Sequence, residues 1–175
     1  MSFEEIRVIT VVYTAVLLPL IIYWKYKSRL PKWIPSFYII SLVVCSLGWE
    51  LWFTYGWLDG DPVDLRRSEN LNKWLPKDIN WLLNSLGDAG AILLGGTWLM
   101  WITHKKNLMI FKKWNWTAFM VLYIWCVSQN IFVEMFLYHD QLAEGKSLSW
   151  APLSPFGPYF NPVLFEFNER TIMLQ

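Results

Sequence analysis

Histidine and cysteine are both scarce in this chain of 175 residues. Its two histidines, His104 and His139, lie in different segments. They are too few for haem, a di-iron centre or a zinc hydrolase, which need several His or Cys ligands. The two cysteines, Cys45 and Cys126, fall inside apolar runs and are expected to be small buried hydrophobes. The sequence therefore predicts no metal and no cofactor.

An excess of charge is missing as well, since 15 Lys and Arg stand against 14 Asp and Glu. Without a basic face, nucleic acid is not an expected partner. The first apolar run is full length and begins almost at once, unlike a cleavable signal peptide. What the chain has instead is 55% hydrophobic residues and thirteen Trp, a composition typical of multi-span membrane proteins.

Four apolar runs divide residues 1–175, which we interpret as a single transmembrane domain. Each run has 19 to 25 residues, enough to cross a hydrocarbon core of about 30 Å, and they cover residues 6–24, 34–58, 79–103 and 114–138. The sequence thus predicts an all-α, multi-pass transmembrane helical bundle with four full spans plus a partial fifth helix at residues 158–175. Three interpretations of that last segment stay open: the first half of a fifth span in a chain cut short, a re-entrant or surface segment, and a loose tail.

Lysine and arginine set the predicted orientation of these spans. The first and third linkers are basic and lack acids, with Lys25, Lys27, Arg29 and Lys32 in the first and Lys105, Lys106, Lys112 and Lys113 in the third. By the positive-inside rule these linkers are cytoplasmic, so the N-terminus is lumenal or periplasmic. The expected location is the endoplasmic reticulum in a eukaryote or the inner membrane in a bacterium.

Polar side chains form a layer below the far-side ends of the spans. Glu50, Asp88 and Asn130 lie eight or nine residues inside those ends, about 12–14 Å deep at the helical rise. Asn84 and Glu134 lie about 6–8 Å deep. Helical spacing puts these groups on stripes that are expected to point into the bundle, because lipid does not tolerate them.

The two deep acids are the predicted catalytic residues, since a carboxyl in a span centre costs about 2.5–3.5 kcal/mol on insertion scales. Loss of hydration favours the neutral acid, so Glu50 or Asp88 could donate a proton at neutral pH, with the other as its base. Trp49 and Trp52 would present π faces to a cationic ligand or intermediate. The predicted binding residues are Trp49, Trp52, Asn84, Gln129, Asn130, Glu134 and Asn168.

Packing offers a simpler interpretation of several of these residues. Asn84, Gln129 and Asn130 taken singly are typical of interhelical hydrogen bonds, worth about 0.6 kcal/mol each. Glu134 lies near enough to water to be a snorkelling surface acid. Four glycines of the third span are expected to let its neighbours approach closely, namely Gly87, Gly90, Gly95 and Gly96.

Short motifs around these residues resemble the EXPERA-domain family, which includes emopamil-binding protein (the sterol Δ8–Δ7 isomerase) and the sigma-2 receptor. The stretch Glu50-Leu-Trp-Phe resembles the Glu-Gly-Trp-Phe of that isomerase's second span. In the third span, Asp88, Gly96 and Trp101 repeat the family's spacing of acid, Gly and Trp. The similarity covers about residues 34–168 and extends to the Ser128-Gln129 segment and to Asn72-Lys-Trp74.

This resemblance implies a five-span bundle around a sterol-sized cavity, with Glu50 and Asp88 as the two intramembrane acids and Asn168 as the fifth-span Asn. Ser46 and Thr171 stand where the isomerases carry His and Trp. A weaker resemblance links Trp49-Glu50 to the membrane terpene cyclases of fungal meroterpenoid pathways.

Three functions follow as expectations. The first is a cofactor-independent isomerase or cyclase that protonates a C=C bond of a sterol or isoprenoid lipid and then takes a proton from the carbocation. The second is a lipid- or amine-binding protein of the sigma-2 type without chemistry. The third is a small structural subunit of a membrane complex. Membrane lipid is an expected partner in all three, and a homodimer is compatible with each.

Overall fold

The computed structural model describes residues 1–56 and 61–146, together with two short strands at residues 163–167 and 170–173. The first two ranges fold almost entirely into helices. The helices are α1 (Phe3–Tyr26), α2 (Ile34–Leu47), α3 (Trp49–Tyr55), α4 (Val63–Arg66), α5 (Glu69–Trp74), α6 (Lys77–Ala89), α7 (Gly96–Thr103), α8 (Trp116–Phe132) and α9 (Tyr138–Asp140). Two π-helical segments, Gly90–Gly95 and Val133–Leu137, join α6 to α7 and α8 to α9.

Two helical runs of the described chain are long and apolar enough to cross a membrane, Phe3–Arg29 and Trp116–Asp140. A third joins them if α2 and α3, which meet at an angle of 40°, count as one bent span. The third predicted span, residues 79–103, is helical throughout from Lys77 to Thr103. Its polar side chains and glycines lower its hydropathy, and it is not among these candidates. Two or three apolar helices are compatible with a membrane protein.

The run from α6 to α7 lies at the centre of the bundle, where α6 packs against α1, α2 and α3 while α7 packs against α8. Glycines permit these contacts, as predicted. A Cβ on Gly87 would lie 3.3 Å from the Cβ of Ala15 on α1, and one on Gly96 would lie 2.5 Å from Leu122 Cδ1 on α8. Glycines on two opposite faces of this helical run therefore let α1 and α8 approach it closely.

A break at Gly48 bends the predicted second span, residues 34–58, and divides its described part into α2 and α3. Gly48 has φ −95° and ψ −121°, outside the helical region, and α3 restarts at Trp49. The indole Nε1 of Trp81 donates to the Ser46 carbonyl at 2.8 Å, which satisfies an oxygen that the helix ladder leaves near the break. Residues 57–60 lie outside the described residues.

The predicted partial fifth helix is also wrong wherever the structure describes that region. Val163–Phe167 (β1) and Arg170–Met173 (β2) form an antiparallel pair in which Phe167 is opposite Arg170. These segments are rich in β-branched and aromatic residues, which favour extended backbone over a short isolated helix. The other residues of the predicted segment lie outside the described ones.

Large apolar side chains cover the outward faces of α2 and α8. Those more than a third exposed include Ile39, Ile40, Val43, Val44 and Leu47 on α2 and Met120, Tyr123, Ile124 and Val127 on α8. Continuous apolar surfaces of this kind are rare on monomeric soluble proteins and are expected where helices meet lipid.

The second linker, between α3 and α6, is folded and is not only a solvated loop. We call this segment, which contains α4 and α5, the cap. Arg67 is 5% exposed, and its guanidinium donates to Asn80 Oδ1 at 2.9 Å, to the Leu75 carbonyl at 2.6 Å and to Asn72 Oδ1 at 3.3 Å. Burial, together with repulsion from Arg66, lowers the pKa of the Arg67 guanidinium to about 10, which still leaves it charged at neutral pH. The cap thus ties the linker to the start of α6.

We expect Gly48→Ala to destabilise the bundle, because the added Cβ would lie 2.6 Å from the Val44 carbonyl oxygen, a backbone atom that cannot rotate away. The expected loss is about 1–3 kcal/mol in the free energy of unfolding, the usual cost of overpacking. Gly90→Ala is the matched control, since its Cβ would meet nothing closer than 3.6 Å. Denaturant unfolding in detergent measures both, and equal stability of the two variants would contradict the role of Gly48.

Candidate functional site

The break at Gly48 aims two predicted site residues into the bundle. α3 begins directly after it at Trp49 and packs against α6, and Glu50 is only 3% exposed. Asp88, one residue before the end of α6, is half-buried. The two deep acids thus face each other across the contact between α3 and α6.

The Glu50 and Asp88 carboxyl groups lie close enough to interact with each other, and the side chains of Asn84 and Thr54 also lie beside Glu50. Glu50 Oε2 has no hydrogen-bond partner of good geometry in the described part of the chain. Two buried carboxyl groups at this range repel strongly when both are ionised, so the pair favours a state that holds one proton. Such a pair can act as acid and base in turn.

Trp49 connects the pair to an aromatic cluster. Its indole Nε1 donates to Asp88 Oδ2 at 2.8 Å, which helps to hold that carboxyl in place. Trp49 and Trp52 both pack against the buried cluster of Phe53 and Val63. Aromatic rings therefore lie beside the Asp88 carboxyl, to which one of them donates a hydrogen bond.

Glu134 joins the same site from the last long helix. It is 3% exposed, so the interpretation of Glu134 as a snorkelling surface acid is wrong. It lies in the π-helical segment Val133–Leu137 and accepts a hydrogen bond from Asn130 Nδ2 at 3.0 Å. Short π-helical segments inside α-helices are frequent at functional sites, because they redirect the side chains that follow.

Tyr138 lies between these carboxyl groups. It interacts electrostatically with Glu50, Asp88 and Glu134, and its ring stacks on Phe53 with the centroids 5.0 Å apart. The sequence analysis missed Tyr138, although its position four residues after Glu134 places it on the same helical stripe. Spacing was a signal, but nothing in the sequence shows that this stripe meets α3.

The remaining predicted binding residues have different places. Asn84 lies beside Glu50, while Gln129 is half-buried and Asn130 is exposed. Neither of the latter two side chains is enclosed with the acid pair, and Asn130 is connected to the site through Glu134. Asn168 lies outside the described residues.

A polar cavity of about 250 Å³ opens near the N-terminus of α1 and the end of the last long helix. Its lining includes Glu5, Ser68, His139 and Asp140 but neither Glu50 nor Asp88. Asp140 is paired there with Arg7 Nη2 at 2.5 Å. This cavity is therefore separate from the acid pair.

The described residues contain neither a metal-binding cluster nor a disulfide. No group of three or more His, Cys, Asp or Glu side chains there is placed to hold a metal ion. Cys45 is a buried free thiol and Cys126 is a half-buried one, in agreement with their interpretation as small hydrophobes.

Comparison with known proteins leaves the site to be interpreted from its own geometry. No protein-family model matches the chain, and no curated protein or solved structure matches it either.

We expect Trp49→Phe to lower the free energy of unfolding by about 1–3 kcal/mol, because the buried Asp88 carboxyl loses its indole donor while the aromatic packing is largely kept. Trp116→Phe is the matched control, since Trp116 is 69% exposed. Thermal unfolding in detergent compares the two variants. Identical midpoints would show that the hydrogen bond to Asp88 contributes no stability.

Proposed function

We propose that this protein is a membrane-embedded enzyme that isomerises or cyclises a sterol- or isoprenoid-like lipid by proton transfer. The observation that carries the proposal is the enclosed pair of Glu50 and Asp88, with an indole bonded to one acid and a carboxyl oxygen of the other without a partner. Carboxylic acids in such surroundings are suited to general acid–base chemistry.

The proposed reaction uses both carboxyl groups. The protonated acid of the pair donates its proton to one carbon of a C=C bond, and the π electrons form the new C–H bond. The neighbouring tertiary carbon becomes cationic and is stabilised by the other carboxylate and by the faces of Trp49 and Trp52. That carboxylate then takes a proton from an adjacent carbon, whose C–H electrons form the shifted double bond. In a cyclase, attack by a second C=C bond precedes this last step.

The proposed topology has four full spans with the N-terminus lumenal or periplasmic. It is supported by the basic first and third linkers and by the helical run from Lys77 to Thr103. The resemblance to EXPERA-domain proteins is part of the same proposal, since Glu50 and Asp88 match that family's intramembrane acids. Access to the site from the bilayer is proposed between the apolar outer faces of the helices.

A second candidate is ligand binding without chemistry, as in the sigma-2 receptor. The observation that favours it is the combination of a carboxylate with three neighbouring aromatic residues, Trp49, Trp52 and Phe53, which suits an organic ammonium ion. In this case one carboxylate would pair with the cation, and no substrate would be converted.

We expect Glu50→Gln and Asp88→Asn each to lower turnover about 100-fold or more, because each removes a group that transfers a proton. The assay incubates purified protein in nanodiscs with a Δ8-unsaturated sterol and with geranylgeraniol in D₂O, and mass spectrometry detects a new isomer that has gained deuterium. Glu144→Gln is the control, since Glu144 is an exposed acid outside the site.

The outcomes separate the two candidates. Full activity in both acid-to-amide variants would refute proton transfer by this pair. If wild-type protein converts neither lipid but binds a hydrophobic amine that Asp88→Asn no longer binds, the second candidate is the correct one.

A further inference from the structure

Arg66 is a buried cation whose hydrogen bonds are incomplete. Its side chain is 2% exposed, and Nη2 donates to the Phe53 carbonyl. Nε and Nη1 are buried and have no hydrogen-bond partner among the described residues. Because the Arg66 carbonyl accepts from Ala143 N at 2.8 Å, the backbone that carries this side chain is held by a second segment.

The neighbouring Arg67 shows what a completed site looks like in the same cap. All three of its guanidinium nitrogens donate to carbonyl or amide oxygens. Both guanidinium groups are buried in one short stretch of chain. Each nitrogen of Arg67 has a hydrogen-bond acceptor, whereas two nitrogens of Arg66 have none. A buried donor without an acceptor is costly, and native proteins usually provide one through water, an ion or a ligand.

The described acids of the cap do not supply the hydrogen-bond acceptors that Arg66 lacks. No carboxylate of the described chain forms an ion pair with it, while Asp64 pairs with Lys77 at 3.4 Å and Asp61 with Lys146 at 3.9 Å. Burial lowers the pKa of the Arg66 guanidinium, and Tyr138, Asp61 and Asp64 partly oppose that effect. Because an arginine guanidinium stays charged at neutral pH, Nε and Nη1 leave three N–H bonds of a buried cation unused.

The position of Arg66 relates it to the acid pair. Its guanidinium carbon lies 5.0 Å from the centre of the Phe53 ring, and Phe53 stacks on Tyr138. Tyr138 in turn interacts with Glu50 and Asp88. The Phe53–Tyr138 stack thus lies near both the cation in the linker cap and the acids within the helices.

We propose that Arg66 binds an anionic oxygen group, a carboxylate or a phosphate, through the N–H groups that its own chain leaves unused. Nε and Nη1 point to different edges of the planar guanidinium, and each can donate a charge-assisted hydrogen bond to an anionic oxygen. This inference rests on the proposed function, because it assigns the polar end of the same ligand. The substrate class becomes an isoprenoid or sterol-like lipid with an acidic head group, whose apolar part runs along Phe53 and Tyr138 toward the acid pair.

The first experiment uses wild-type protein in detergent and three probes with one tail: geranylgeranyl monophosphate, geranylgeranoic acid and geranylgeraniol. Native mass spectrometry measures how much of each stays bound. We expect both acids to bind about tenfold or more tightly than the alcohol, since hydrogen bonds to charged groups are roughly twice as strong as neutral ones. Inorganic phosphate and acetate distinguish a lipid head group from a free anion.

Variants then test whether the binding preference for the two acidic lipids comes from Arg66. Arg66→Gln is expected to remove the preference for the two acids over the alcohol, and Arg66→Lys to restore part of it through charge alone. Arg29→Gln is the matched control, because it removes the same charge from an exposed position in the first linker. The preference should persist in Arg29→Gln.

Equal binding of acid and alcohol by wild-type protein, with no binding of the free anions, would overturn the proposal, and this readout does not depend on whether Arg66→Gln folds. A preference that survives in a folded Arg66→Gln would overturn it as well. Binding of the free anions alone would keep the Arg66 site and assign it to a soluble anion. Turnover by the Glu50 and Asp88 variants is measured separately, so a failure here leaves the test of proton transfer intact.

Discussion

The contact between α3 and α6 is the interaction on which the rest of the site depends, and it exists because the second helix breaks at Gly48. A continuous helix would carry Trp49 and Glu50 along the direction of α2. The 40° bend instead lays α3 against α6. There the Trp49 indole donates a hydrogen bond to Asp88, and Glu50 lies beside Asp88. A Cβ at residue 48 would lie 2.6 Å from a backbone oxygen, so the bend depends on the absence of a side chain there. One residue thus connects local backbone geometry to the chemistry of two carboxyl groups.

Indole N–H groups donate at two of the places where helix geometry departs from the regular ladder. Trp81 donates to Ser46 beside the break, and Trp125 donates to Ala91 at 2.8 Å inside the π-helical segment Gly90–Gly95. In lipid no water is available to bond an exposed carbonyl, so an irregular helix needs a donor from a neighbouring side chain. Tryptophan provides one donor on a large apolar ring, which lets it enter such a place without bringing an unpaired acceptor. Some of the thirteen Trp therefore serve the interior of the bundle and not only its interfaces with water.

Arg66 and Arg67 show how the linker between the second and third spans becomes part of the folded protein. Arg67 binds three oxygens of its own chain, which ties α5 to the start of α6. Arg66 contacts Phe53 on α3 and, through its backbone, Ala143 after α9. The cap therefore connects the broken second helix with the end of the last one.

Apolar run length and deep polar residues in the sequence determined that this chain forms helices suited to a membrane, and that Glu50 and Asp88 are its unusual groups. Those signals are local, because hydropathy and helical spacing act within one segment. The bend at Gly48, the π-helical segments, the β-hairpin and the burial of Glu134, Tyr138 and Arg66 were decided by tertiary structure. Each depends on which helix lies opposite. A glycine, a tyrosine or an arginine in a linker has the same local sequence signal whether its neighbour is lipid, water or a carboxylate, and only the folded chain supplies that neighbour.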